Sequence, residues 1–211
     1  MSEVSDRVKE ALQERGYFKA QISAENRTLT STPVSERIAV AFQIVAGQQY
    51  RLSEITFRNY HSISNLKALR GLFRIKDGEV LNLAMVRKGI DNLGYASREL
   101  GFINFTAVPD TRINDEGQSI AFDIDIHEGK ISYVSSINAL GLRDQNALKD
   151  LHIKHGDIYN QRLAYLFLQE HVSLLPANAS VDSRIRIRQI RQDQGSAAIA
   201  ITFDFRPCPV D

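Results

Sequence analysis

A chain of 211 residues with 43% apolar content, 26 Lys and Arg against 25 Asp and Glu, and a net charge of +1 can build a folded core. It carries no whole-chain field that would gather nucleic acid or an anionic bilayer. No run of about eighteen apolar residues occurs, Met1 to Asp6 lacks the basic start and apolar stretch of a signal peptide, and a single cysteine, Cys208, excludes an internal disulfide and a thiolate metal cluster.

In chain order, residues 1–48 read as one helix followed by two strands, and Tyr50 to Phe57 as a further strand. Leu66, Leu69, Leu72 and Phe73 then recur at helical spacing, with Ser62 or Ser64 as the expected N-cap. Ile75-Lys76-Asp77-Gly78-Glu79-Val80-Leu81-Asn82 reads as a turn. Leu83, Val86, Ile90, Leu93 and Leu100 resume the helical rhythm, and Gly101 stands where a left-handed C-terminal cap is wanted. Gly89 and Gly94 inside that helix cost about 1 kcal/mol each relative to alanine, which close backbone packing against the first helix would explain. Phe102 to Val108 and Ile120 to Ile126 are expected strands, separated by the turn-rich Asn114-Asp115-Glu116-Gly117.

The same order recurs. Gly47 to Ile55 matches Gly129 to Ile137 at an offset of 82, Ile75 to Asn82 matches Ile153 to Asn160 at 78, and Ile120 to Ile126 matches Ile199 to Phe205 at 79. Glu14-Arg15-Gly16-Tyr17-Phe18 corresponds to Glu99-Leu100-Gly101-Phe102-Ile103. The expected organisation is therefore a partial unit at 1–48, a complete one at 49–129 and a divergent one at 130–211. Each full unit reads strand, helix, helix, strand, strand. That is an α+β fold in which two helices cover one face of a small sheet. Gly16, Gly78, Gly101 and Gly156 are structural positions in this pattern. In the last unit Leu175-Pro176-Ala177-Asn178-Ala179 replaces the Gly-aromatic pair, so its second helix is expected to end early. The units are joined by a residue or two, as at Gly47-Gln48-Gln49 and Gly129-Lys130, with no Gly/Ser tether.

The turn from Ile75 to Asn82, Tyr95 late in the second helix and Gly101-Phe102 at the next strand make the pattern from Tyr50 to Gly129 resemble a POTRA (polypeptide-transport-associated) domain. The resemblance extends over the whole chain as a partial, a complete and a divergent copy. It implies a periplasmic, protein-binding segment of a bacterial outer-membrane barrel-assembly or secretion protein, without catalysis and without cofactors. Implied partners are unfolded or extended outer-membrane or secreted proteins and accessory subunits, with the membrane reached through a barrel outside this fragment and no nucleic acid. It also implies client binding by strand addition at an edge formed by Phe102, Ile103, Asn104, Phe105, Thr106, Ala107 and Val108, stopping near Pro109. The incomplete first unit suggests an excised piece of a longer chain. Alternatives are the client-binding arm of a two-partner secretion transporter and a soluble interaction module without a barrel. A run of short alternating strands beyond Asp211 would mark the barrel.

Other chemistries find less support. A KH-like nucleic-acid module shares the opening order, but its Gly-x-x-Gly loop would be Lys76-Asp77-Gly78-Glu79, with carboxylates where phosphate should sit. His152 and His155 have helical metal-ligand spacing, yet His155 aligns with Asp77 in a turn and no third ligand is placed. Asp123 and Asp125 alternate with Phe122, Ile124 and Ile126 and read as a solvated strand face. No nucleophile motif or phosphate cradle occurs. Arg184, Arg186 and Arg188 alternate with Ile185 and Ile187, with Arg191 beyond, and set a cationic row on one strand face. Such a row discourages edge pairing, or contacts lipid headgroups or an acidic partner. Cys208 between Pro207 and Pro209 reads as incidental.

Overall fold

The computed structural model describes residues 2–31, 34–62, 65–177, 179–192 and 195–207, so Ser64, Asn178, Cys208 and Pro209 lie outside the described residues. Among the described residues the order is α1 (Ser2–Gln13), β1 (Gln21–Ser31), β2 (Glu36–Val45), β3 (Arg51–Arg58), α2 (Leu66–Gly71), α3 (Leu83–Glu99), β4 (Thr106–Asn114), β5 (Ser119–His127), β6 (Ile131–Leu140), α4 (Gln161–Glu170), β7 (Ile185–Gln192) and β8 (Ser196–Asp204). Short 3-10 segments fill Gln145–Asp150, Val172–Leu174 and Val181–Arg184. The strands form a β1-β2 pair and two three-stranded sheets ordered β3-β5-β4 and β6-β8-β7. This is an α+β architecture, and it divides into two compact units: Met1–Leu93 with Ala107–Ile126, and Gly94–Thr106 with His127–Asp211.

In the first unit β3 pairs in parallel with β5, and the alternating residues Ile120, Phe122, Ile124 and Ile126 are buried. Leu69 of α2, Phe73 and Ile75 beyond it, and Val86 and Leu93 of α3 are buried as well. The glycine at position 89 has a steric reason, because a Cβ on Gly89 would collide with the Phe73 ring. Gly94 does not share it: the nearest atoms to its added Cβ are those of the Arg98 guanidinium, 3.1 Å away, so close packing on α2 is not its reason. The N-cap of α2 is Asn65, not Ser62; its side chain accepts from the Ala68 amide, 3.1 Å away, and the helix stops at Gly71, before Leu72 and Phe73.

The turn predicted at Ile75 to Asn82 adds a short ribbon to the start of β3. Leu52 N donates to Glu79 O at 2.9 Å, Gly78 N to Leu52 O at 2.7 Å and Leu81 N to Tyr50 O at 2.9 Å. In the second unit Val134 N donates to Asp157 O at 2.8 Å, Gly156 N to Val134 O at 2.7 Å and Tyr159 N to Ser132 O at 2.8 Å. The acid in each turn closes it from within. Glu79 Oε2 accepts from Lys76 N at 3.0 Å and Asp157 Oδ2 from Lys154 N at 2.8 Å, a role that the residue types alone did not reveal.

The Gly-aromatic pair performs the same task twice. Gly16 O accepts from Tyr50 N at 2.8 Å in the first unit, and Gly101 O accepts from Ser132 N at 3.0 Å in the second. The N-terminal segment is further tied to the β4–β5 turn. Lys19 Nζ lies 2.6 and 2.8 Å from the two Asp115 oxygens, and Tyr50 donates its hydroxyl to Asp115 at 2.5 Å. The bond from Lys19, with that from Tyr50, holds the Asp115 carboxyl below its usual range.

The second unit builds its core from Phe167 of α4, stacked edge-on against Phe203 at 5.0 Å and Phe205 at 6.4 Å, with Val134, Tyr159, Ile199 and Ile201 around it. Its first helix is reduced to the 3-10 segment Gln145–Asp150, and α4 spans 10 residues where α3 spans 17. A 3-10 segment follows before Pro176, which cannot continue a helix.

Candidate binding edges and sheet faces

The stretch predicted as a client edge, Phe102 to Val108, is only partly strand. Gly101 turns the chain at φ +93, and three amides are then already committed: Phe102 N to Ser97 O, Ile103 N to Gly101 O and Phe105 N to Phe102 O, each at 3.1 Å. Phe102 and Phe105 are buried, so the rings anchor a turn and β4 begins at Thr106. Ile103 is half-buried and Asn104 exposed in that turn, while Thr106, Ala107 and Val108 are in the strand. Pro109 does not end the ladder but sits inside it, since β4 runs on to Asn114.

β4 is the edge of its sheet, and Val108 (55%) and Ile113 (41%) keep much of their surface in water. A proline inside a strand sits where its nitrogen faces away from the neighbouring strand. Alternation then gives the outward-facing amides to Ala107, Thr111 and Ile113. β7 is the corresponding edge in the second unit. Beside it opens a cleft of about 350 Å³ lined by Tyr95, Arg98, Tyr159, Tyr165, Ile185 and Ile187 among others. Arg98 stacks over the Tyr95 ring at 5.1 Å and donates Nε to Gln161 Oε1 at 2.6 Å. Burial, and then a hydrogen bond with Asp182, raise the Tyr165 phenol above its usual range. The cleft unites residues about 90 positions apart, Tyr95 and Ile185, so no local pattern could announce it.

On the outer face of the first three-stranded sheet the charges are mutually paired. Arg112 of β4 binds Glu54 of β3 at 3.1 Å and Asp123 of β5 at 2.8 Å, and Thr56 also donates to Asp123. Asn59 donates to Asp125 at 2.7 Å, with Arg58 at 3.6 Å from the same carboxylate. The hydroxyl of Thr56, then Arg112, depresses the Asp123 pKa. The two aspartates predicted as a solvated face are thus the middle of a cross-strand network.

The arginine row differs from expectation at its first member. Arg184 lies in the 3-10 segment before β7, is buried, and donates Nη1 to Arg206 O at 2.7 Å, so it is a structural clamp on the chain after β8. Arg186, Arg188 and Arg191 do share a face. They stand opposite Thr202, Ala200 and Ala198 of β8, because a bulge between Gln189 and Arg191 restores the parity that the odd spacing would break. His152 and His155 are exposed loop residues.

The POTRA family model, described as "Surface antigen variable number repeat", matches residues 50–129. That match covers 80 of the chain's 211 residues. The described fold continues the likeness through the chain. It superposes on POTRA domains 3–5 of BamA from Haemophilus influenzae with a TM-score of 0.71 at 14% identity, over 96% of this chain and 79% of that one. It also matches BamA from Haemophilus ducreyi lacking POTRA domains 1–3, with a TM-score of 0.59 at 12% identity, over 74% of this chain and 30% of that one. The chain therefore has the tandem POTRA fold. In POTRA terms β4 and β7 are the same strand in successive units: each follows the second helix and forms an edge of its sheet.

Proposed function

We propose that this chain is a periplasmic, non-catalytic arm of an outer-membrane barrel-assembly or secretion protein, which holds extended segments of client proteins by strand addition. We divide it into three POTRA units, at 1–48, 49–129 and 130–211. The observation that carries the binding reading is the open β4 edge from Thr106 to Asn114, where Ala107, Thr111 and Ile113 offer amides to an incoming strand. Pro109 interrupts that offer, so the edge is selective in register and weak along its length. Backbone pairing suits a site that must accept many sequences, because every extended peptide presents the same donors and acceptors. The β7 edge supplies a second place of the same kind, and its tyrosine-lined cleft can take a side chain from the added strand.

Replacing Thr111 with proline tests the reading, since it removes an outward donor while sparing the pairing of β4 with β5. Synthetic peptides that alternate apolar and polar residues, as the strands of a membrane barrel do, should lose affinity for the variant, with circular dichroism unchanged. Equal affinity for variant and parent protein overturns strand addition at β4.

A further inference from the structure

Among the described residues β2 is paired on one side only, with β1, whereas its equivalents β5 and β8 are the middle strands of their sheets. The repeat offset of 82 carries Ile38, Val40, Phe42 and Ile44 onto Ile120, Phe122, Ile124 and Ile126, the buried row of β5. In β2 the same row is between 36% and 49% exposed, and Ile22 and Ala24 of β1 widen it. From Ile38 to Val45 the edge has no charged residue and no proline, two devices that keep an open strand from pairing. The β4 edge has both, in Pro109, Asp110 and Arg112. The other face of β2 is small at its centre, with Ala39 half-buried and Ala41 exposed.

We infer that this edge is the interface of a two-fold dimer, in which β2 of one copy of the chain pairs antiparallel with β2 of a second. Two conditions set the register. In a regular antiparallel ladder, outward-bonded residues face outward-bonded residues, and side chains of one face stay on that face. Centring the pair on Ala41 meets both. Ile38 of each copy then faces Ile44 of the other, Val40 faces Phe42, and Ala41 faces its own counterpart. A centre at Val40 or Phe42 leaves Ile44 or Ile38 without a large apolar side chain opposite. The self-complementary row Ile38-Val40-Phe42-Ile44 is what points to a second copy in preference to a foreign strand. The result is a four-stranded sheet, β1-β2-β2-β1, with an α1 from each copy packed on its outer strands. Two helices then accompany one sheet, as in the complete unit, and four strands can stand where a two-stranded ribbon is marginal. Nothing in the pairing repels, since the segments that meet are uncharged and each copy has a net charge of only +1. The dimer is independent of strand addition at β4 and can form without it.

Sedimentation of the full chain over a range of concentrations should show monomer and dimer with no larger species, because a two-fold interface uses up the edge. Ala41 is exposed and in this register faces itself, so Ala41→Lys or Ala41→Glu sets like charges directly opposite and should weaken the dimer at least about tenfold. A mixture of the two variants should restore dimers, now made of one copy of each. Should either variant fold poorly, amide exchange on the parent chain decides: raising the protein concentration should slow exchange within Ile38 to Ile44 and leave β4 and β7 unchanged. A monomer at every concentration, open-ended association, dimers unaffected by either charge, or no rescue in the mixture overturns the inference. So does protection of β2 by a synthetic alternating peptide where the chain itself is monomeric, since that assigns the edge to a foreign strand.

Discussion

Gly78 and Gly101 share a left-handed backbone, φ +86 and +93, but not their surroundings. A Cβ on Gly78 meets no atom within 4 Å, whereas one on Gly101 would stand 2.5 Å from Ile158 Cγ2. Gly78→Ala should therefore cost the conformational strain alone, about 1–2 kcal/mol. Gly101→Ala should cost a further 1–3 kcal/mol or so for the overlap. Thermal melting of the two variants checks the order, and equal losses would contradict the packing at Gly101. Asp204 makes a pH-dependent contribution. Hydrogen bonding to the Arg206 side chain, opposed by burial, brings its pKa down to about 2. A depressed carboxyl pKa stabilises fully above the unfolded value of about 3.9 and loses that stabilisation as pH falls through the folded value. Asp204→Asn should destabilise the protein at neutral pH and flatten the acid side of its stability profile between about pH 4 and pH 2. A variant whose acid unfolding follows the parent curve would contradict this role.

Ile38, Val40, Phe42 and Ile44 of β2 are all exposed, and register puts Ile22, Ala24, Asn26 and Thr28 of β1 beside them, so the β1-β2 pair carries an apolar face of its own. In the two three-stranded sheets the strands equivalent to β2, β5 and β8, are flanked on both sides. A two-stranded ribbon is marginal by itself. Residues 21–45 should exchange amide hydrogens faster than β5 and β8, and the protein should self-associate at high concentration, as sedimentation would show. Phe42→Lys should suppress that association. Equal protection in β2 and β5, with a strict monomer throughout, would contradict both expectations. Most elements were legible in the sequence because their signals are local: the helical rhythm of Leu83 to Leu100, the alternation of Ile120 to Ile126, and the recurring Ile-Lys-x-Gly turn. The start of β4 was not. Phe102 and Phe105 have the composition of a strand, but Gly101 turns the chain and three hydrogen bonds hold their segment in a turn. Arg184 escaped the same reading for a related reason: its alternation with Ile185 continues past the end of β7, into a 3-10 segment that only tertiary packing specifies.

Across the whole molecule, binding at a sheet edge should show itself in its response to salt. Strand addition relies on backbone hydrogen bonds and apolar contact, so peptide binding at an edge should change little with ionic strength. The net charge of +1 adds no long-range attraction that salt would screen. The central claim, that extended clients are held at the β4 edge, is tested most directly by residue-resolved amide exchange with and without a saturating alternating peptide. Slowed exchange at Ala107, Thr111 and Ile113, with Phe102, Ile103 and Phe105 unchanged because their amides are already bonded, is the predicted result. Protection confined to other elements, or no change along β4 when the peptide is bound, would contradict it.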